Sequence, residues 1–543
     1  MTGQSQPLTP VKSFTPGDES LTGELILEGT SANIFLLEGA PEDRALFLLV
    51  ESQDLPHASR LLKHLGPKIA LYLVEADPRH RCLTLQRAGA GVSRAIRAVQ
   101  RHGPYRVLGW AHAGMLAYET AIQLIGIDEA IEFLGMIETL PPAWLSRTVC
   151  LDAPGVIAGG DDAVPIQRST AIAAQDYELD PQPAQVHWFG GGKSASAWPA
   201  ETHQQLRTFL LPHDVAPHSE LAGSGALRRS IAKALATVDS QHRSDEHRHR
   251  ALCTIQSGRD GMIPFFCVPG AGSGPADFVP LTGELGEETP VHGFLPRGIN
   301  TDSVPHSSVE AAAQAYLCEL EQLYPNGSLH LVGHSFGGWI VFEMALLLQA
   351  RGREVRSLTV LDSEVPAGAG KVGREYTRSE VLMQLVSLYE QVAQRTTGLT
   401  VADFATLLPD SQLSLLHQHV VRLGLMPARS QPASLRGTLR TFAAALRTEY
   451  MPSSTFLGTT QLVLVPESGE CAAIAAARMT SLAAGWRRWA PNLRDRHERG
   501  NHFTLLKPPH IRCIAQWMSI SREHRSPSIL RRSNQTRKSR GGV

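Results

Sequence analysis

The chain has 543 residues, too many for one hydrophobic core, so two or more domains are expected. Its 43% hydrophobic and 19% charged residues are those of an ordinary globular protein, and 51 basic against 52 acidic side chains leave a formal charge of −1, which supplies no global field to gather nucleic acid or an anionic membrane. Seven scattered cysteines with no CxxC spacing point to neither a disulfide framework nor a metal site, and no apolar run approaches the roughly 20 residues of a bilayer span, so a cytoplasmic setting is expected.

Residues 1–40 begin with the polar MTGQSQPLTPVKSF and read as an N-terminal extension, disordered in part. From about 41 to 235, strand-like apolar runs alternate with amphipathic helical stretches, the pattern of a mostly parallel sheet flanked by helices. One strand-turn-helix passage there is VLGWAHAGMLAYETAIQL, residues 107–124. A later GGGKSAS invites a phosphate-loop reading, but GxxxxGKS needs glycine at 187, where His187 stands. A turn after the strand QVHWF is the better reading. Residues 236–250, ATVDSQHRSDEHRHR, carry no pattern able to bury a face and read as a linker.

The alternation resumes over 251–520. SLHLVGHSFGGWIVFEMALLLQARG, residues 328–352, passes from an apolar strand through Gly333-His334-Ser335-Phe336-Gly337 into an apolar helix, which is GxSxG in the context of a nucleophile elbow. The turn holds the Ser335 hydroxyl clear of the sheet at a helix N-terminus, and the glycines admit neighbouring chains too close for a Cβ. A serine nucleophile needs a base and an orienting carboxylate, expected in the order Ser, Asp, His. Asp362, 27 residues after Ser335, ends the next strand in EVRSLTVLDSEVP, with Glu467 in TQLVLVPESG as the rival acid. His502 in GNHFTLLKPPH lies in a loop before the final helix; His510 is its rival and is expected to open that helix. His334 reads as a packing residue. The loop Pro269-Gly270-Ala271-Gly272 follows the strand PFFCV, so the N–H of Gly270 or Ala271, with that of Phe336, is expected to form an oxyanion hole. The tail 521–543, with seven basic residues and one acid, is expected to be disordered.

Together, IQSGRDGMIPFFCVPGAGSG, PVHGFLPRG, LHLVGHSFGGW, LTVLDSEVP and GNHFTLLKPPH resemble the type I thioesterase domains that terminate nonribosomal peptide and polyketide assembly lines, over roughly residues 254–515. The resemblance implies an α/β-hydrolase fold with a mobile lid, here about 367–455. It also implies that Ser335 accepts an acyl or peptidyl chain from a phosphopantetheine thioester and releases it by hydrolysis or macrocyclisation. No segment resembles a carrier domain, so the acyl or peptidyl carrier protein is expected to be a separate partner, and no cofactor beyond its phosphopantetheine is expected. A small-molecule carboxylesterase or lipase-like hydrolase is the alternative within the same chemistry, and a noncatalytic docking module the alternative from another class.

An offset of 224 residues lays the first half on the second, with Gly109, Gly114 and Glu119 on Gly333, Gly338 and Glu343, and Glu138 on Asp362. The fold class expected is therefore α/β, two tandem α/β-hydrolase domains of which the first is a degenerate copy. Ala111 stands where the serine belongs and offers no nucleophilic atom. His218 is a candidate relic of the base, and the lid equivalent is short, about 140–185. A scaffold, docking or nonproductive acyl-binding role is expected for this half.

Overall fold

The computed structural model describes residues 24–28, 32–51, 65, 68–76, 84–142, 177, 179, 182, 184–190, 198, 206–210, 225–240, 250–300, 303–366, 376–467 and 469–523. Two sheets follow one another along the chain. The first has eight strands in the order β1 (Glu24–Glu28), β2 (Ala32–Glu38), β4 (Ile69–Ala76), β3 (Arg44–Val50), β5 (Tyr105–Trp110), β6 (Ile131–Ile137), β7 (Val186–Gly190) and β8 (Leu206–Leu210). From β4 onward all neighbours are parallel, while β2 joins β4 antiparallel. A strand buried on both faces has no reason to alternate, and β5 is buried at every position of YRVLGW. Helices α1 (Leu85–Val99) and α2 (Ala113–Gly126) supply the core on one face, and α3 (Gly225–Ser240) packs on the other.

Two stretches read differently from the sequence are structured. β1 and β2 lie within residues 1–40, where ANIFLLE alternates buried and half-buried positions because β2 sits near the sheet edge. α3 continues to Ser240, inside 236–250, and its half-buried Val238 packs against the core.

The second sheet has seven strands in the order β15 (Leu493–His497), β14 (Thr460–Leu464), β13 (Val355–Leu361), β12 (Leu329–His334), β10 (Phe265–Val268), β11 (Val291–Phe294) and β9 (Leu252–Gln256), with β9 alone antiparallel to its neighbour. In chain order its helices are α4 (Val279–Leu285), α5 (Val309–Leu323), α6 (Phe336–Ala350), then α7 (Arg378–Ala393), α8 (Val401–Ala405), α9 (Pro409–Arg422) and α10 (Arg436–Arg447), and finally α11 (Ala472–Arg487) and α12 (His510–Glu523). The four helices α7 to α10 are inserted between β13 and β14. They hold an apolar cluster of their own, including Leu382, Leu416 and Phe442, against which Ala271 packs. No helix among the described residues is long and apolar enough to cross a membrane.

The halves repeat one another in detail. Ala111 and Ser335 both take positive φ, 49° and 53°, as do Glu138 and Asp362, 49° and 47°. The N–H of Ala111 donates to Ile137 and that of Ser335 to Leu361, each at 2.8 Å. Buried Glu119 accepts from the Tyr177 hydroxyl at 2.6 Å, and Glu343 from that of Tyr450 at 2.7 Å. They also touch. Arg297 of the second half ion-pairs with Asp128 and donates to the Ile125 carbonyl at 2.9 Å. The Ser307 N–H donates to Gly126 at 3.0 Å, and Val304 is buried in the first half's core cluster.

Candidate functional site

The last residue of β12 is His334, and Ser335 turns the chain into α6 with φ 53° and ψ −124°. That left-handed conformation is strained for a residue with a Cβ. It is held because the Ser335 N–H is bound to Leu361 and its carbonyl accepts from the Ser363 hydroxyl at 2.6 Å. The glycines of the motif are steric necessities: a Cβ on Gly333 would lie 2.3 Å from the Gly337 carbonyl oxygen, and one on Gly337 would lie 2.3 Å from that of Val268. Ser335 thus stands at the positive end of α6, with Phe336 as the first helical residue.

Asp362 follows β13 directly. Its N–H donates to Val463 at 2.8 Å, its Oδ1 accepts the Val465 N–H at 3.3 Å, and its Oδ2 lies 2.7 Å from His502 Nδ1. An aspartate oxygen only accepts, so Nδ1 carries the proton and Nε2 is left with its lone pair. His502 sits in the loop between β15 and α12, shaped by Asn501, whose Oδ1 accepts from the N–H of Phe503 and of Thr504 at 3.0 Å each. The His502 carbonyl in turn accepts from His334 Nε2 at 3.0 Å. Burial, with His502 beside it, pushes the His334 pKa down to about 3, so the ring is neutral and its Nε2 carries the hydrogen.

Ser335, Asp362 and His502 line one cavity of about 960 Å³, together with Gly270, Ala271 and Phe336. Tyr389 of α7 and Phe442 of α10 contribute its far side. The Gly-rich loop is clamped there, since a Cβ on Gly272 would meet that of Phe442 at 3.2 Å. The rival residues lie apart from the pair. The Glu467 side chain is 67% exposed and faces Arg478 at 3.4 Å, and His510 opens α12. Reading His334 as packing missed its bond to the His502 carbonyl, which spans 168 residues and has no local signal.

In the first half, Ala111 and Glu138 hold the positions of Ser335 and Asp362, with no nucleophile at Ala111. His218 and most of the stretch 140–185 fall outside the described residues. No group of three or more histidine, cysteine, aspartate or glutamate side chains able to hold a metal occurs among the described residues.

The family model described as Thioesterase domain matches residues 59–153 and 263–517, one segment in each half. Over 194 residues the chain is 29% identical to microperfuranone synthase of Emericella nidulans, covering 36% of this chain and 19% of that protein. Over 116 residues it is 34% identical to indigoidine synthase of Streptomyces lavendulae, covering 21% of this chain and 9% of that one. The matches therefore span a fifth or less of these relatives' lengths. Among solved structures, a thioesterase from the prodiginine biosynthetic pathway of Streptomyces coelicolor aligns with a TM-score of 0.34 and 21% identity, over 48% of this chain and 86% of that one.

Proposed function

Because the chain belongs to the thioesterase domain family, we propose that its second half is a serine thioesterase that releases an acyl or peptidyl chain from the phosphopantetheine of a carrier protein in nonribosomal peptide or polyketide synthesis. The carrying observation is the Asp362–His502 contact of 2.7 Å beside a serine held at positive φ on a helix N-terminus. The names of the relatives support the setting, and the cavity of about 960 Å³ suits a long acyl chain.

In this reading His502 Nε2 takes the Ser335 proton as Oγ bonds to the thioester carbonyl carbon. The carbonyl oxygen becomes an oxyanion facing the N–H groups of Phe336 and of Gly270 or Ala271. Collapse breaks the carbon–sulfur bond, and the departing pantetheine sulfur takes the proton from His502. Water, or a nucleophile on the chain itself, then attacks the acyl-Ser335 ester, gives its proton to His502 and releases acid or macrocycle. Ser335 leaves as the alkoxide and recovers that proton from His502. Asp362 holds the imidazole and stabilises its charged form.

The test is intact-mass analysis after mixing with an acyl-pantetheine thioester. A single acyl adduct on Ser335, absent from Ser335→Ala, is expected, with turnover reduced by about 10⁶ in the variant. Modification that survives the substitution refutes the reading, and faster cleavage of simple oxyesters than of matched thioesters favours an esterase.

A further inference from the structure

A second cavity, of about 390 Å³, lies where the two halves meet. From the first half, α1 lines it with Arg87, Arg94 and Arg97; from the second come Arg378 at the start of α7 and Arg440 and Arg447 of α10. Six guanidinium groups thus face two carboxylates, Glu119 and Glu449, among the described lining residues. Some of the positive charge is spent on local contacts: Arg87 meets Glu449 at 3.3 Å, Arg440 donates to the Ser303 carbonyl and Arg447 to that of Tyr376. The last two contacts orient the guanidinium without neutralising it.

Helix ends sharpen the imbalance. Thr84, Ser308 and Arg378 bring the N-termini of α1, α5 and α7 to this cavity, and such ends are electropositive. Arg87 in the first turn of α1 and Arg378 as the first residue of α7 are cations at the end that disfavours them. A local conflict of that kind marks a site built for something else. An anion with more than one negative charge resolves it, and planar guanidinium forks bind phosphate with two parallel bonds. The volume admits a phosphate with part of the molecule attached.

The position adds a direction. Tyr376 and Thr448 line both this cavity and the one holding Ser335, and α10 is the partition, turning Arg440 and Ala443 to one side and Phe442 and Leu446 to the other. We infer that the cavity between the halves binds the phosphate of the pantetheine arm, so that the serine-free first half contributes three arginines to substrate capture. This rests on the carrier-borne substrate proposed above; the polyanion site itself does not.

Calorimetry on the full chain with 4′-phosphopantetheine, pantetheine and inorganic phosphate tests it. The phosphorylated arm is expected to bind at least tenfold more tightly than pantetheine, with an affinity that falls as salt is raised. Arg87→Ala/Arg94→Ala should weaken it by about tenfold or more, from lost charged hydrogen bonds. In turnover, the ratio of kcat/KM for acyl-phosphopantetheine over acyl-pantetheine should fall in the variant. If that variant does not fold, the salt dependence and the preference of the wild-type chain for the phosphorylated arm carry the test. Equal binding of the two pantetheines overturns the inference. Inorganic phosphate binding as tightly as phosphopantetheine also overturns it, in favour of a free phosphorylated effector. Binding as expected without any thioester turnover supports the site and refutes the proposed reaction instead.

Discussion

Replacing Asp362 with asparagine keeps size and shape and removes only the charge, so its effect follows from hydrogen bonding alone. The Val465 N–H at 3.3 Å holds one oxygen of the side chain and would hold the amide oxygen of the introduced asparagine there. The NH₂ group then points at His502 Nδ1, where Oδ2 now lies at 2.7 Å. Two donors cannot share that contact, so the imidazole proton moves to Nε2 and the lone pair that takes the Ser335 proton is lost. Loss of the tautomer and of the charge that stabilises imidazolium is worth about 10⁴ in turnover, or about 5.4 kcal/mol of transition-state stabilisation. The assay is thiol release from an acyl-pantetheine thioester, with circular dichroism to confirm the fold. Glu467→Gln, at a side chain 67% exposed, should change turnover little. If Asp362→Asn retains more than a tenth of the wild-type rate, or Glu467→Gln loses more, the acid is wrongly assigned.

Three further outcomes are expected. His334 stays neutral when folded, with a pKa of about 3, and protonates near pH 6.5 when unfolded, so its contribution is full above pH 6.5 and drains away toward pH 3. Urea melts should show the wild type losing about 2 kcal/mol more than His334→Gln between pH 7 and pH 5; parallel pH slopes would refute this. A Cβ on Gly338 would lie 2.0 Å from Ser363 Oγ, so Gly338→Ala should cost about 1 to 3 kcal/mol, and Gly338→Ala/Ser363→Gly should recover part of that in the same melts. Tyr450→Phe removes the donor to Glu343, whose pKa burial raises and that bond lowers, so the variant should lose about 1 to 3 kcal/mol. Because the carboxyl then protonates more readily in the fold, the loss should be larger at pH 8 than at pH 5. A pH-independent loss would contradict the assignment.

The sequence by itself determined what is local. GxSxG between an apolar strand and an apolar helix requires the turn at Ser335, because only glycine lets Gly333 and Gly337 approach their neighbours so closely. The same register, carried 224 residues back, located Ala111 and Glu138, and the structure gives both the positive φ of their counterparts. Strand-helix alternation likewise sufficed for two parallel sheets. β2 escaped because an edge strand in a polar stretch alternates over only a few residues, and the end of α3 escaped because a charged sequence hides one apolar contact at Val238. Everything that depends on residues far apart in the chain was decided only by the tertiary structure. That Asp362 rather than Glu467 faces His502 depends on a contact across 140 residues, and the role of His334 on one across 168. The arginines of α1 read as one solvated face of an amphipathic helix; only packing of the two halves through Arg297, Asp128 and Val304 sets them against those of α7 and α10. Sequence periodicity records which face of a helix is polar, and charge alone does not say whether that face meets water or another basic helix.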